Sequence, residues 1–589
     1  MASFLRTHTC GALRESDVGT DVSLSGWVHR VRDLGGLIFI DLRDRFGITQ
    51  IVLDPKKNES IYQLGQKLRN EFVITVKGRV TVRQDKNPRM STGAIEIFAD
   101  RLEILSKAEV PPFTIAEDST EVNDELRLTY RYLDMRKGKI LQNLTLRHQA
   151  MMKVRQYLDE CGFTEVVTPM LGRSTPEGSR DYLVPSRVNP GTYYALPQSP
   201  QIYKQLLMVG GLDRYFQIAT CLRDEDLRAD RQPEFAQIDI EMSYVTQEQL
   251  FPLVEGLVKT VFKACKDVDI PTPFRRMTYD ECMERYGCDK PDLRFGMPLV
   301  RLDDLAKASS LSIFHTALEQ AGSIKGFVVT GGADISRKTI DDYTTFVSQL
   351  GAKGLAWIKW QDATFTSSIA KFLTPEQQQE WVKRLEMNSG DIAFIIAGPH
   401  KKTNMSLDHL RRRLAKDRNL IPSDACACLW VTDFPLFTYN EEEGRLESEH
   451  HPFTSPHLED IARMETDPLS VRSSSYDLVM NGYEMASGSQ RIHDGDLQDA
   501  IFRILGLGEK ERTERFGFFI EALKYGTPPH IGLALGFDRI CMILAKTDNI
   551  RDVVAFPKTQ KASCLMTGAP SEVSEDQLKE LKITSVVDG

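Results

Sequence analysis

Between Arg214 and Tyr244 apolar and polar side chains alternate with a period of two. Phe216, Ile218 and Leu222 stand on even positions, and Gln217, Arg223 and Glu225 on odd ones. After a polar stretch, Ala236, Ile238, Ile240 and Met242 alternate with Gln237, Asp239 and Glu241. Successive strand residues face opposite sides. The pattern therefore predicts two strands joined by a loop, each with one apolar face and one face of amides, carboxylates and an arginine. A solvent-facing strand would scatter Lys, Thr and Glu there. A row of Gln, Asp and Glu facing an Arg across a hairpin predicts a site that grips a small polar molecule.

The same reading organises the rest of the chain. VSLSGWVHRV, GLIFIDLRD, GITQIVLD, FVITVKGRVTV and AIEIFADRLEIL alternate as short strands around one helical piece, SIYQLGQKLR. Five strands, glycine-bearing turns and one helix predict an OB-type barrel over 1–107. Pro111-Pro112 opens a polar linker, 108–135. Ile140, Leu144, Met151, Val154 and Leu158 recur at helical spacing over 139–161, and Gly162 ends the helix. FTEVVTPML follows as a strand whose Pro169 belongs at an edge or a break. From 289 to 422 apolar strands (SIKGFVVTGG, GLAWIKW, DIAFIIAGP) alternate with amphipathic helices, an inserted α+β domain. It divides a core of antiparallel sheet into 136–288 and 423–560. Residues 561–589 form a polar tail with one peripheral helix.

Composition adds limits. At 589 residues, 41% hydrophobic and 27% charged, the chain has the make-up of an ordinary multidomain globular protein. No apolar run reaches the ~18 residues of a membrane span. The start carries no apolar signal segment, and the ten cysteines include no C-x-x-C, so reduced thiols in a cytoplasm are expected. Net charge is −9, yet residues 1–107 carry 17 Lys and Arg against 13 Asp and Glu. A basic barrel on an acidic body can dock a polyanion locally.

The segment IGLALGFDRICMIL, 531–544, reads as a strand turning into a helix, with room at Gly532 and Gly536 for a flat ring or another backbone and with Arg539 in the first helical turn. A proline-ended strand after a long helix, an R-D-E hairpin and a terminal G-L-A-L-G-F-D-R resemble, in that order, motifs 1, 2 and 3 of the class II aminoacyl-tRNA synthetases. STPEGSRDYLVPSR, ALPQSPQIYKQLLM, LRDEDLRADRQPEF, SEHHPFTSP and SYDLVMNGYEMASGSQRIH extend the resemblance to the bacterial type of aspartyl-tRNA synthetase. The insertion resembles the domain that type shares with an amidotransferase subunit. The resemblance implies a dimeric enzyme that joins aspartate to tRNA-Asp with ATP. It implies that Arg223 bridges the amino acid carboxylate and the α-phosphate, that Glu225 approaches the adenine amino group, and that Arg539 holds the γ-phosphate. Asp224, Gln232, Gly536, Phe537 and Asp538 complete the implied ATP set, and Asp477 and Glu484 are the implied Mg²⁺ ligands. Lys204 and Arg491 are implied to receive the aspartate side chain, with His450 or His451 closing over it. Glu177, Ser199, Gln201, Gln237 and Asp239 are implied around its α-amino end. The residue-level alternative for Arg223 is a salt bridge to Asp239 or Glu241.

In the barrel, Phe39 and Gln50 match positions that stack on and hydrogen-bond to anticodon bases, with Arg30 and Arg32 nearby, a combination suited to unstacked RNA. Read alone, Phe39 is more readily a core residue, and it is the resemblance that reverses this. Leu34 stands in the turn VRDLGGLIF where members that also charge tRNA-Asn often carry His. This favours an enzyme restricted to tRNA-Asp; one that also aspartylates tRNA-Asn, and a catalytically inactive RNA-binding relative, are the alternatives.

Overall fold

Five strands close into a barrel in the computed structural model of the chain, which describes residues 6–115, 122–174, 178–227 and 229–586. Strands β1 (Asp21–Leu34), β2 (Leu37–Asp44), β3 (Gly47–Leu53), β4 (Val73–Val82) and β5 (Ile95–Ser106) run in the order β1-β2-β3-β5-β4. Inward positions are apolar and fully buried: Leu24 and Val28, Ile38, Ile40 and Leu42, Ile51 and Leu53, Ile74 and Val76, Ile95 and Ile97. The short helix α1 (Glu59–Gly65) is capped by Asn58, whose side chain accepts from the Ile61 N–H.

By compactness the chain divides into one unit of Met1–His148, Leu227–Gln232 and Thr547–Glu572, and another of Gln149–Asp226, Pro233–Lys546 and Val573–Gly589. The first unit corrects the expected linker. From Asn123 onward that segment is helical and docked. Arg131, 2% exposed, pairs with Asp134 at 2.9 Å and donates to the carbonyls of Ala555 (3.0 Å) and Val554 (2.8 Å). Arg136 donates to Glu71 of the barrel at 3.2 Å and lies 4.9 Å from the Trp27 ring.

In the second unit an eight-stranded sheet carries the polar hairpin. Its strands are β6 (Thr164–Glu165), β7 (Arg214–Leu222), β8 (Glu234–Ser243), β9 (Arg275–Thr278), β10 (Cys428–Thr432), β11 (Ser475–Met480), β12 (Tyr483–Gln490) and β13 (His530–Gly536), ordered β9-β10-β11-β12-β13-β8-β7-β6. The ladder is antiparallel except at its two ends. Helix α2 (Lys139–Glu160) ends where expected, with Gly162 at φ +79°. The strand expected over FTEVVTPML shrinks to Thr164 and Glu165. Beyond it Pro169 offers no donor, and Val167 and Leu171 are exposed. Helices α3 (Gln201–Val209), α4 (Gln247–Lys266) and α5 (Phe537–Ala545) complete the core. Behind the sheet Val154 of α2, Leu257 and Val261 of α4, Ile540 of α5 and Ile238 of β8 surround a small apolar void.

The insertion is a five-stranded antiparallel sheet covered on both faces by helices. Along Asp391–Gly398, Ile392, Phe394 and Ile396 join one core while Ala393 and Ile395 join the other. Burial on both faces explains the unbroken apolar run DIAFIIAG. Arg411, fully buried on helix His400–Asp417, donates to the carbonyls of Asp292 (2.6 Å) and Met297 (3.1 Å), and Arg412 to that of Lys290 (2.8 Å). The exit helix thus clasps the entry segment.

In the barrel, one Arg43 nitrogen donates to both carboxylate oxygens of Glu71 at 2.9 Å, with side-chain exposures of 10% and 5%. Glu71→Ala strands a buried guanidinium and is expected to lower barrel stability by about 3–5 kcal/mol. Faster hydrogen exchange confined to β1 and β2 would report it; unchanged protection there would remove the pair from the barrel's support.

Candidate active site

Register explains how the polar face of β8 is accommodated. Glu241 lies opposite Gly532, Asp239 opposite Ala534 and Gln237 opposite Gly536, so each polar side chain faces a position with little or no side chain on β13. At Gly532 the space belongs to protein: a Cβ there would stand 1.9 Å from Glu241 Oε2 and 2.4 Å from the Ile240 carbonyl. At Gly536 a Cβ would meet only ordinary contacts from 3.7 Å, which leaves that end open.

Four charged side chains lie buried on this face. Lys204 Nζ donates to Asp239 Oδ1 (3.1 Å) and the Leu533 carbonyl (3.3 Å) and lies 3.4 Å from Glu241 Oε2. Arg491 grips Glu241 through Nε (2.8 Å) and Nη2 (3.1 Å), and its Nη1 donates to Ser489 Oγ and His451 Nε2, each at 2.7 Å. Asp239 and Glu241 are both 0% exposed, Lys204 and Arg491 1%. Burial raises the Asp239 carboxyl above the ordinary range despite Lys204; for Glu241 burial acts the same way, but Arg491 and Lys204 outweigh it and hold the group low. Asp239 Oδ2 has no hydrogen-bond partner among the described residues. The two acids expected as salt-bridge alternatives for Arg223 are thus taken by Lys204 and Arg491. The cations that were to favour aspartate are themselves compensated. Burial and the neighbouring Arg491 hold His451 neutral, so its Nε2 accepts from Arg491.

A second cluster lies along β11, β12 and α5. His450 Nε2 is 3.3 Å from Asp477 Oδ1. Burial opposes a second proton on this ring, but Asp477, Glu449 and Glu484 together outweigh it and raise the imidazole, while His450 Nδ1 has no partner among the described residues. Burial, then Asp477, raises the Glu484 carboxyl. Arg539 Nη1 donates to the Glu484 carbonyl at 2.6 Å. Arg223, past the end of β7, ties its N–H to the Pro233 carbonyl at 2.9 Å and sets its guanidinium 5.2 Å from the Phe235 ring. Its Nε is buried without a hydrogen-bond partner among the described residues. Asp224 sits 3.6 Å from Arg180, and Glu225 accepts from Ser179 Oγ at 3.4 Å.

Several expectations are corrected. Gln232, in the first unit, spends its amide on the Lys558 backbone, accepting at 2.7 Å and donating at 3.2 Å. Phe537 is fully buried, and Asp538 accepts from the Ala236 N–H at 2.9 Å, so both hold α5 in place. Pro200 stands at the N-cap of α3, and Ser199 Oγ accepts from the Gln201 N–H at 3.2 Å. Glu177 lies outside the described residues. The sequence reading missed Phe235, Gln205 and His530. Phe235 carried the signal of a lone aromatic two residues before Gln237; the other two carried none.

On the barrel, Phe39 is half-buried and faces outward between fully buried Ile38 and Ile40, which rules out the core position. Gln50 is buried, donating to Glu96 at 2.8 Å and accepting from Arg32, which also pairs with Asp41 at 2.8 Å. Gln50 therefore belongs to a hydrogen-bond network of the barrel itself. Arg30 is exposed, and Leu34 is 61% exposed at the hairpin tip.

Gly532→Ala is expected to push Glu241 off Arg491 and destabilise the second unit by about 3 kcal/mol or more. Ala534→Gly, opposite Asp239, costs only about 1 kcal/mol. Equal shifts in thermal midpoint for the two variants would show that position 532 bears no special steric load.

Residues 123–560 match the family described as tRNA synthetases class II (D, K and N), and residues 22–105 the OB-fold nucleic acid binding domain. The chain is 60% identical over 585 residues to the aspartate–tRNA(Asp/Asn) ligase of Protochlamydia amoebophila, spanning 99% of this chain and 98% of that one. It is 58% identical over 578 residues to the protein of the same name from Chlamydia muridarum, spanning 98% and 99%. The crystal structure of asparaginyl-tRNA synthetase from Pyrococcus horikoshii complexed with asparaginyl-adenylate is similar in fold, with TM-score 0.59, 19% identity and 94% and 98% of the two chains covered. An antiparallel sheet bearing a charged hairpin, a separate five-stranded barrel and a family match across most of the length agree: the chain belongs to the class II tRNA synthetases of the D, K and N group.

Proposed function

We propose that this chain is an aspartate–tRNA ligase, activating L-aspartate with ATP and transferring it to the 3′ end of tRNA-Asp. The observation that carries the reading is the buried, partnerless Asp239 Oδ2 beside Lys204 and Arg491. An α-ammonium group satisfies that oxygen and draws Asp239 away from Lys204. Lys204 and Arg491 then meet the ligand's side-chain carboxylate; an asparagine amide returns no charge to them. Ser199, Gln201 and Gln237 border the ammonium end, and His450 and His451 stand over the pocket. The names of the relatives support the same substrate.

The first step needs no general base. The aspartate α-carboxylate attacks the α-phosphorus, the new C–O–P bond forms, and the bond to pyrophosphate breaks. Two anions must approach, and a guanidinium can bridge carboxylate and phosphate oxygens; Arg223, with its unspent Nε, takes that role. Phe235 offers the adenine a flat partner under Arg223, with Glu225 toward the amino group and Arg539 toward the γ-phosphate. Asp477 and Glu484, the second a carboxyl raised by burial and then by Asp477, suit Mg²⁺, which takes one or two carboxylates plus phosphate oxygens. When bound it would neutralise phosphate charge. In the second step a terminal ribose hydroxyl of the tRNA attacks the adenylate carbonyl and AMP leaves. Arg30, Arg32, Phe39 and Gln50 offer the barrel's face to the anticodon. Exposed Met152, Val167, Met170 and Leu171 support a two-fold dimer. A cytoplasmic enzyme fits this reading, and no helix among the described residues is long and apolar enough to cross a membrane.

The relatives' names favour a second tRNA, tRNA-Asn, against the expectation drawn from Leu34. An exposed leucine makes no hydrogen bond to either C or U at the third anticodon base, so it rewards neither.

Arg223→Ala is expected to lower aspartate-dependent ATP–pyrophosphate exchange by 10²-fold or more, on the order of 3 kcal/mol. Exchange near the wild-type rate would take Arg223 out of the site, and no exchange by the wild type would end the ligase reading. Aminoacylation of purified tRNA-Asp and tRNA-Asn side by side is expected to give aspartyl product on both. Product on tRNA-Asp alone would restore the narrower range.

A further inference from the structure

Gln201, Gln205 and His530 form a single file of hydrogen bonds from α3 to the start of β13. His530 Nδ1 lies 2.8 Å from the Pro528 carbonyl, an obligate acceptor, so Nδ1 carries a proton. His530 Nε2 lies 3.2 Å from Gln205 Nε2, and Gln201 Nε2 donates to Gln205 Oε1 at 2.8 Å. Gln205 and His530 are fully buried, and Gln201 is 7% exposed. Within the file itself only two polarities are self-consistent. When His530 Nε2 is bare it accepts from the Gln205 amide nitrogen. Gln205 Oε1 then receives Gln201 Nε2, and Gln201 Oε1 is left for the pocket. When Nε2 is protonated it donates to Gln205 Oε1. Gln205 must turn over, Gln201 follows, and an NH₂ group faces the pocket instead.

We propose that His530 is a positioning residue that fixes the amide polarity of Gln201, so that the pocket presents an acceptor, not a donor, to the α-ammonium group of the amino acid. This deepens the ligase reading and rests on it. The groups facing His530 are Gln205 on α3, Glu241 on β8, Arg491 and His493 after β12, and the Pro528 carbonyl on its own segment. Burial, Arg491 and His493 oppose a second proton; Glu241 and the carbonyl favour it; the balance lowers the imidazole below 6.5. The acceptor polarity therefore holds at neutral pH and is lost as pH falls through that lowered range.

The test is ATP–pyrophosphate exchange by the full-length enzyme between pH 5.5 and 8.5. Wild type is expected to show an aspartate KM that rises toward the acid end while the ATP KM stays level. His530→Leu removes the acceptor that orients Gln205, and at pH 7.5 is expected to raise the aspartate KM about tenfold with the ATP KM within about twofold. Gln205→Glu supplies only acceptors once ionised. It keeps His530 protonated and Gln201 in its original sense, so the acid rise in aspartate KM should vanish. A flat wild-type profile overturns the proposal, as does a parallel loss of ATP and aspartate affinity in His530→Leu. Persistence of the acid rise in Gln205→Glu does the same, and that arm decides the matter if His530→Leu fails to fold. Absence of aspartate-dependent exchange in the wild type at every pH would instead refute the ligase reading itself.

Discussion

Two carboxylates without solvent exposure, two residues apart on a central strand, set the terms for the second unit. Ionised groups so placed are tolerated only with partners of opposite charge and good geometry. Lys204 must therefore come from α3, Arg491 from the end of β12, and β13 must give up side-chain volume at Gly532. Helix placement, strand order and glycine position all answer to Asp239 and Glu241. The arrangement holds its charge in balance yet leaves one carboxylate oxygen of Asp239 unanswered. A site built this way is stable without a ligand and still asks for one of defined charge.

Period-two alternation was enough to read the barrel and the hairpin, because each depends on local pattern that a single strand carries; the apolar runs of the insertion marked strands but not their burial on both faces. The hairpin's paired odd positions, Gln217 with Asp239, fall in register as alternation requires. What could not be read was commitment. Gln232 and Gln50 look like free amides in the sequence, and only the folded chain brings Lys558 to the first and Glu96 to the second. Arg131 looks like an ordinary linker charge until carbonyls over 400 positions away accept from it. Pro169 announced a break, but alternation alone could not show that pairing stops at Glu165. His530 and Gln205 carried no local signal, since their significance is the direction of a hydrogen bond.

The barrel's outer face presents a related situation. Arg32 is held by Asp41 and Gln50, and Gln50 by Glu96. A base that takes a hydrogen bond from this set must exchange partners with it. Preorganised groups of this kind lose little conformational freedom on binding, and selectivity comes from how well the incoming edge replaces the bond it breaks. Under the proposed anticodon contact, Phe39, half-buried on β2 between the strands of Arg32 and Gln50, asks no such exchange and suits any base.

The clasp of Arg411 and Arg412 on residues 290–297 bears on how this polypeptide can change over evolutionary time. Entry and exit of the insertion are pinned together by bonds to main-chain carbonyls, which do not depend on side-chain identity in the entry segment. The host sheet therefore experiences the insertion as a closed loop with fixed ends. Closure entropy grows only slowly with loop length, by about 0.6 kcal/mol per doubling. Segments within the insertion can lengthen, shorten or be replaced at little thermodynamic consequence to the sheet, so long as the two arginines and the turn they hold survive. The insertion is thus a module whose content is free and whose attachment is not.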